Sequence, residues 1–191
     1  YNIFVIFFLL LIYCVTICGN LLIITLVYYS KSLYTPMYFF LSQLAVSDML
    51  LATDVLPNML HAFLEENTTS ISISDCITQL YFVAVSETSE CLLLTLMSYD
   101  RYLAICRPLH YAMLMSHQFC WKTIITSCSL SFLAVLTYTF DISRLQFCGP
   151  DIIDHFFCDL EPILKLSCSD TTLVQLLVTS STFIFGGIPF L

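Results

Sequence analysis

From Ile3 to Val27 the chain runs for 25 residues without one charged side chain, and no charge occurs anywhere in residues 1–30. A helix crosses the hydrocarbon of a bilayer with about 20 apolar residues, so a stretch this long reads as a membrane span. A secretory signal peptide is the competing reading. Its apolar core is only about 7–15 residues, and neither a basic leader nor a cleavage signature accompanies this run. The chain opens at Tyr1 and not at Met, so the natural start is expected upstream.

Composition extends that conclusion to the whole chain. Apolar residues make up 59% of the 191 positions and charged residues 10%, where soluble domains run near 45–50% and 25%. So little polar surface excludes a cytosolic enzyme and a disordered chain. Six Lys and Arg against fourteen Asp and Glu leave a net charge of -8, the wrong sign for a nucleic-acid partner. Ten cysteines are present without a CxxC pair or a Cys/His cluster of zinc-ligand spacing. No nucleophile–base pair, phosphate loop or metal-ligand cluster speaks for catalysis.

Four further apolar stretches follow, and the five expected spans are 3–27, 36–63, 77–99, 123–140 and 171–191, with one long loop at 141–170. The fold class expected is therefore an all-α membrane protein. The alternating segments of about 10 residues that mark a transmembrane β-barrel are absent. The first and third loops carry Lys31, Arg101, Arg107 and Lys122 with Asp100 as their only acid, which assigns them to the cytoplasm. The second loop holds Glu65, Glu66 and Asp75 but no Lys or Arg. The fourth has Arg144 and Lys165 among six acids, and contains Cys148, Cys158 and Cys168, while Cys76 sits at the same end of span three. Four cysteines on one face suit an oxidising exterior, and the sequon Asn67-Thr68-Thr69 lies on that side too. The amino terminus is thus expected outside, in the plasma membrane.

The stretch Met97-Ser98-Tyr99-Asp100-Arg101-Tyr102-Leu103-Ala104-Ile105-Cys106-Arg107-Pro108-Leu109-His110-Tyr111 resembles the MAYDRYVAICxPLxY signature of vertebrate olfactory receptors, a branch of the rhodopsin-like G-protein-coupled receptors. Leu33-Tyr34-Thr35-Pro36-Met37-Tyr38-Phe39-Phe40-Leu41 is similar to their LHTPMYFFL motif, and Gly19-Asn20 to the GN of span one. The loop with Cys148-Gly149-Pro150, His155-Phe156-Phe157-Cys158-Asp159 and Lys165-Leu166-Ser167-Cys168-Ser169-Asp170 looks like their second extracellular loop. The resemblance implies a seven-helix bundle, truncated here to five transmembrane helices, with the spans that bear KAFSTCxSH and PxLNPxIY lying beyond Leu191. It reads as a fragment or a truncated gene product.

The resemblance also implies roles for particular residues. Asp100, Arg101 and Tyr102 would dock the G protein, Arg101 being held at rest by its acidic neighbour; charge alone reads Arg101 as a snorkelling anchor. Val83, Ala84, Glu87 and Thr88 would line the odorant cavity. Glu87 accepts a hydrogen bond or an amine there, or is a neutral acid bonded to a neighbouring helix. Asp48 and Glu90 lie inside spans that contain no Lys or Arg. The family pattern implies a sodium ion held with Asn20, and the alternative is a pair of protonated carboxyls. Arithmetic allows three pairings of the four exterior cysteines; the resemblance selects Cys76 with Cys158 and Cys148 with Cys168. Cys14, Cys18, Cys91, Cys106, Cys120 and Cys128 read as small apolar residues, and His155 with Asp159 as loop packing and not a metal pair.

The function expected is that of an odorant receptor, not an enzyme. It would bind a small organic odorant in the bilayer-embedded bundle and activate a heterotrimeric G protein of the stimulatory olfactory type, with no cofactor apart from the sodium reading. A rhodopsin-like receptor for amines or peptides is the nearest alternative, though amine receptors usually carry an aspartate at the position of Val83. A small transporter or channel is the alternative from another class.

Overall fold

The computed structural model describes residues 2–30, 35–64, 70–148, 152–154 and 158–187. Lys31, Leu33, Tyr34, Glu65, Glu66, Asn67, Gly149, Pro150 and His155 to Phe157 lie outside the described residues, so the glycosylation reading at Asn67 has no structural counterpart here.

The elements run α1 (Asn2–Tyr29), α2 (Pro36–Leu64), β1 (Ser70–Ser72), α3 (Ile73–Cys106), α4 (Pro108–Leu114), α5 (His117–Ser143), β2 (Ile152–Asp154), α6 (Leu160–Lys165) and α7 (Thr172–Thr182), which passes into a π-turn at Phe183–Gly187. Four of these helices, α1, α2, α3 and α5, are long and apolar enough to cross a membrane. The apolar stretch Thr172–Gly187 is shorter. Helix α5 begins six residues before the apolar run at 123 because capping, not hydropathy, sets its start. The Ser116 hydroxyl accepts from the Phe119 N–H at 3.3 Å, and Lys122 is carried inside the helix. Helix α3 also extends past its apolar run at both ends. Ser72 caps it by accepting from the Asp75 N–H at 3.2 Å, and it continues through Asp100 and Arg101 until Pro108 opens α4.

Lipid tails are as apolar as leucine, so small polar contacts and close packing must hold such helices together. Helix α1 packs on α2 and otherwise presents Phe4, Phe8, Leu22 and similar side chains outward. Ser47 of α2 and Ser89 of α3 share a hydrogen bond of 3.0 Å, both buried. Pro57 lacks the N–H that would bond the Thr53 carbonyl of α2, and one position on, the Asp54 carbonyl accepts from Asn58 Nδ2 at 2.9 Å and from Gln79 Nε2 of α3 at 3.3 Å. One core cluster joins Phe40, Leu93, Cys120 and Ile124. Beside it Phe39 stacks edge-on against Trp121 at 4.9 Å, the aromatic belt expected where a bundle meets the membrane interface.

The second core cluster lies at the other end, where Cys76, Val85, Val135, Ile142, Ile163 and Val174 bring α3, α5, α6 and α7 together. The segment read from sequence as a plain loop, 141–170, contains structure of its own. β2 pairs antiparallel with β1, Ile71 opposite Ile153, and Phe147 bridges Ser167. Disulfides Cys76–Cys158 and Cys148–Cys168 cross-link the same region, with Cα–Cα distances of 5.2 and 5.8 Å. At the start of α7, Asp170 accepts from the Thr172 N–H at 2.9 Å, and its bonds to Thr172 hold its carboxyl below the usual range.

Candidate functional site

Helix α3 carries three groups of polar residues, one near each end and one in the middle. At the disulfide end a cavity of about 230 Å³ opens between α3, α5, the 158–160 segment and α7 with its π-turn. Ala84, Glu87 and Thr88 project into it from successive turns, as residues three and four apart on a helix do. Val83 does not line it; one position away in sequence is about 100° away around the helix, and Val83 is buried on another face. The Thr88 hydroxyl donates to the Ala84 carbonyl at 2.7 Å.

Sequence reasoning missed four further polar residues of this cavity, Tyr138 of α5, Asp159, and Ser181 and Thr182 of α7. Tyr138 is 8% exposed as a residue, its hydroxyl is not among the fully buried unpartnered atoms, and it makes no hydrogen bond among the described residues. Asp159 caps α6, accepting from the Leu160 N–H at 2.7 Å, and stands close enough to Glu87 for the two charges to act on one another. A polar-tipped ring in an otherwise apolar span was the available signal for Tyr138. Nothing local marked Asp159, because the Cys76–Cys158 bond is what draws it over the bundle.

In the middle of the bundle the carboxyls of Asp48 and Glu90 lie within hydrogen-bond reach of each other across α2 and α3. Glu90 Oε1 is buried and has no hydrogen-bond partner. No hydrogen bond joins Asn20 to this pair among the described residues.

At the opposite end Asp100 is 1% exposed and accepts from the Tyr111 hydroxyl at 2.9 Å. Arg101 and Tyr102 are exposed. The Asp100–Arg101 ion pair implied by the resemblance does not form among the described residues. Neighbours in a helix do not face each other, and Asp100 turns inward toward α4 while Arg101 turns out. Burial, reinforced by the bond to Asp100, pushes the Tyr111 phenol up to about 12, so Tyr111 remains a donor throughout the physiological range.

Four long apolar helices, a cross-linked cap over a small cavity and an exposed arginine at the far end of the same helix are the features of a multi-pass helical membrane protein. Comparison with known proteins narrows the class. The family described as "Olfactory receptor" matches residues 9–189. Human olfactory receptor 1L8 is 48% identical over 168 residues, 88% of this chain and 53% of the relative. Human olfactory receptor 6B1 is 43% identical over 164 residues, 86% and 52%. The chicken (Gallus gallus) olfactory receptor-like protein COR5 is 44% identical over 178 residues, 93% and 55%. The chain belongs to the olfactory receptor family, and it spans about half the length of these relatives.

Proposed function

We propose that the receptor containing this segment binds small organic odorants in the cavity at the disulfide end of α3 and activates a stimulatory heterotrimeric G protein at the Arg101 end, without enzymatic activity. The observation that carries this reading is the continuity of α3. One 34-residue helix presents Ala84, Glu87 and Thr88 to a cavity and, four turns on, an exposed Arg101 beside a tethered Asp100. Ligand binding then shifts the receptor through its differential affinity for two arrangements of that helix and its neighbours. Positive loop residues at the Arg101 end and the disulfides at the other support an extracellular amino terminus in the plasma membrane.

A sodium ion at Asp48 and Glu90 belongs to the same proposal. The donors are hard oxygens of the type such a cation takes, and Glu90 Oε1 is a buried oxygen that lacks a partner. Asn20 would complete the set. The ion would neutralise the pair, and a proton held between the two carboxyls is the competing arrangement.

The test is cyclic AMP in cells expressing the complete receptor, challenged with an odorant panel. The reading predicts agonist-dependent cyclic AMP that Arg101→Ala abolishes while surface staining persists. Solute or ion flux without cyclic AMP would instead place the protein among transporters or channels.

A further inference from the structure

We infer that the cavity at the disulfide end selects primary amines, whose ammonium group is held jointly by Glu87, Asp159 and Tyr138. This rests on the odorant-cavity reading above and names its ligand class. The two acids approach from different parts of the chain, Glu87 on α3 and Asp159 on the segment tethered through Cys158. Both carboxyls line the cavity, and among the described residues no Lys, Arg or His does.

The cations at this end of the bundle are engaged elsewhere. Lys165 pairs with Glu161 at 2.6 Å, and Arg144 lies over the Phe140 ring at 4.1 Å. Carboxyls facing a membrane cavity need compensation, and among the described residues no basic side chain lining it supplies any.

Tyr138 provides the independent observation. Its ring is packed into the core beside Val135 and Ile142, yet its hydroxyl lacks a hydrogen bond in the structure while the residue lines the cavity. An ammonium has three donors and no acceptor. Glu87, Asp159 and the Tyr138 oxygen offer three acceptors from three elements, a complement that an alcohol with one donor or a quaternary ammonium with none does not satisfy. The remaining wall combines Leu80, Ala84, Leu160, Val178 and Phe185 with Thr88, Ser181 and Thr182, whose hydroxyls donate to carbonyls of their own helices, and it suits a short hydrocarbon body.

The experiment uses the complete receptor and three probes of one skeleton, 3-methylbutylamine, 3-methylbutanol and the N,N,N-trimethyl derivative of the amine. Cyclic AMP dose-response curves are recorded in cells, and binding of the same probes is measured on purified receptor in nanodiscs. The amine is expected to act and bind at least tenfold more tightly than the other two. Glu87→Gln and Asp159→Asn should each reduce that preference about tenfold, and Tyr138→Phe by a smaller factor. Asn is a good helix cap, so Asp159→Asn keeps the start of α6 while removing the charge. Equal responses to amine and alcohol, or variants that shift both in parallel, would overturn the inference. Alcohol-driven cyclic AMP without an amine preference would overturn it and leave the odorant reading standing. Tight amine binding in nanodiscs with no cyclic AMP from any probe would support the amine site and count against the receptor reading.

Discussion

Tyr111 holds the buried Asp100 carboxyl by one hydrogen bond of 2.9 Å, and that bond is the only one Asp100 makes through its side chain among the described residues. Removing the hydroxyl leaves a desolvated acceptor, at a cost of about 1–3 kcal/mol. Tyr111→Phe should therefore lower the melting temperature of the purified receptor and weaken G-protein activation more than odorant binding, because the loss falls at the Arg101 end. Equal weakening of both would argue against a local role. The phenol is raised in the folded state to about 12, so its contribution is fully present below the ordinary tyrosine value near 10. It disappears only as pH climbs from there toward 12. Between pH 6 and 9 the stability difference between wild type and Tyr111→Phe should stay constant.

At the scale of elements, the two disulfides do different work. Cys76–Cys158 closes 82 residues of sequence and joins the first turn of α3 to the segment that roofs the cavity. Cys148–Cys168 closes 20 residues within the loop, where backbone bonds from Cys148 to Leu166 and from Cys168 to Gln146 already hold the ends together. In the chain-entropy account the longer closure contributes more, roughly 4–5 against 3 kcal/mol. Cys158→Ser is expected to abolish surface delivery of the complete receptor, while Cys148→Ser reduces it less. Flow cytometry of an epitope-tagged receptor reads the order, and the reverse order would contradict this division of labour. The β1–β2 pairing sits on the same region, so Cys158→Ser should also expose that segment to protease.

For the molecule as a whole, orientation in the bilayer is the property that loop charge and cysteine chemistry bear on together. An epitope at the amino terminus of the complete receptor should stain in intact cells, and one placed after Leu114, between α4 and α5, should stain only after permeabilisation. Staining in the opposite sense would reverse both the disulfide and the G-protein arguments.

Span existence was legible in the sequence because bilayer thickness and apolarity are local requirements: any 20-residue window either meets them or does not. The apolar run at 3–27 and the helix Asn2–Tyr29 therefore agree to within two residues. Ends governed by caps, as at Ser116 and Ser72, differ by more, since a hydroxyl accepting an N–H bond outlasts the hydropathy signal. The motif around Arg101 named the family, but not that Asp100 would turn to Tyr111. Which acids meet was decided only by tertiary structure. Glu87 and Asp159, Asp48 and Glu90, and the hydroxyls of Ser47 and Ser89 are all distant in sequence. Helix packing and a disulfide, which no local pattern encodes, bring them together. The face each side chain presents depends on how one helix is rotated against the next, so the sequence by itself determined a membrane bundle and its family, and the packed structure determined what its polar residues can hold.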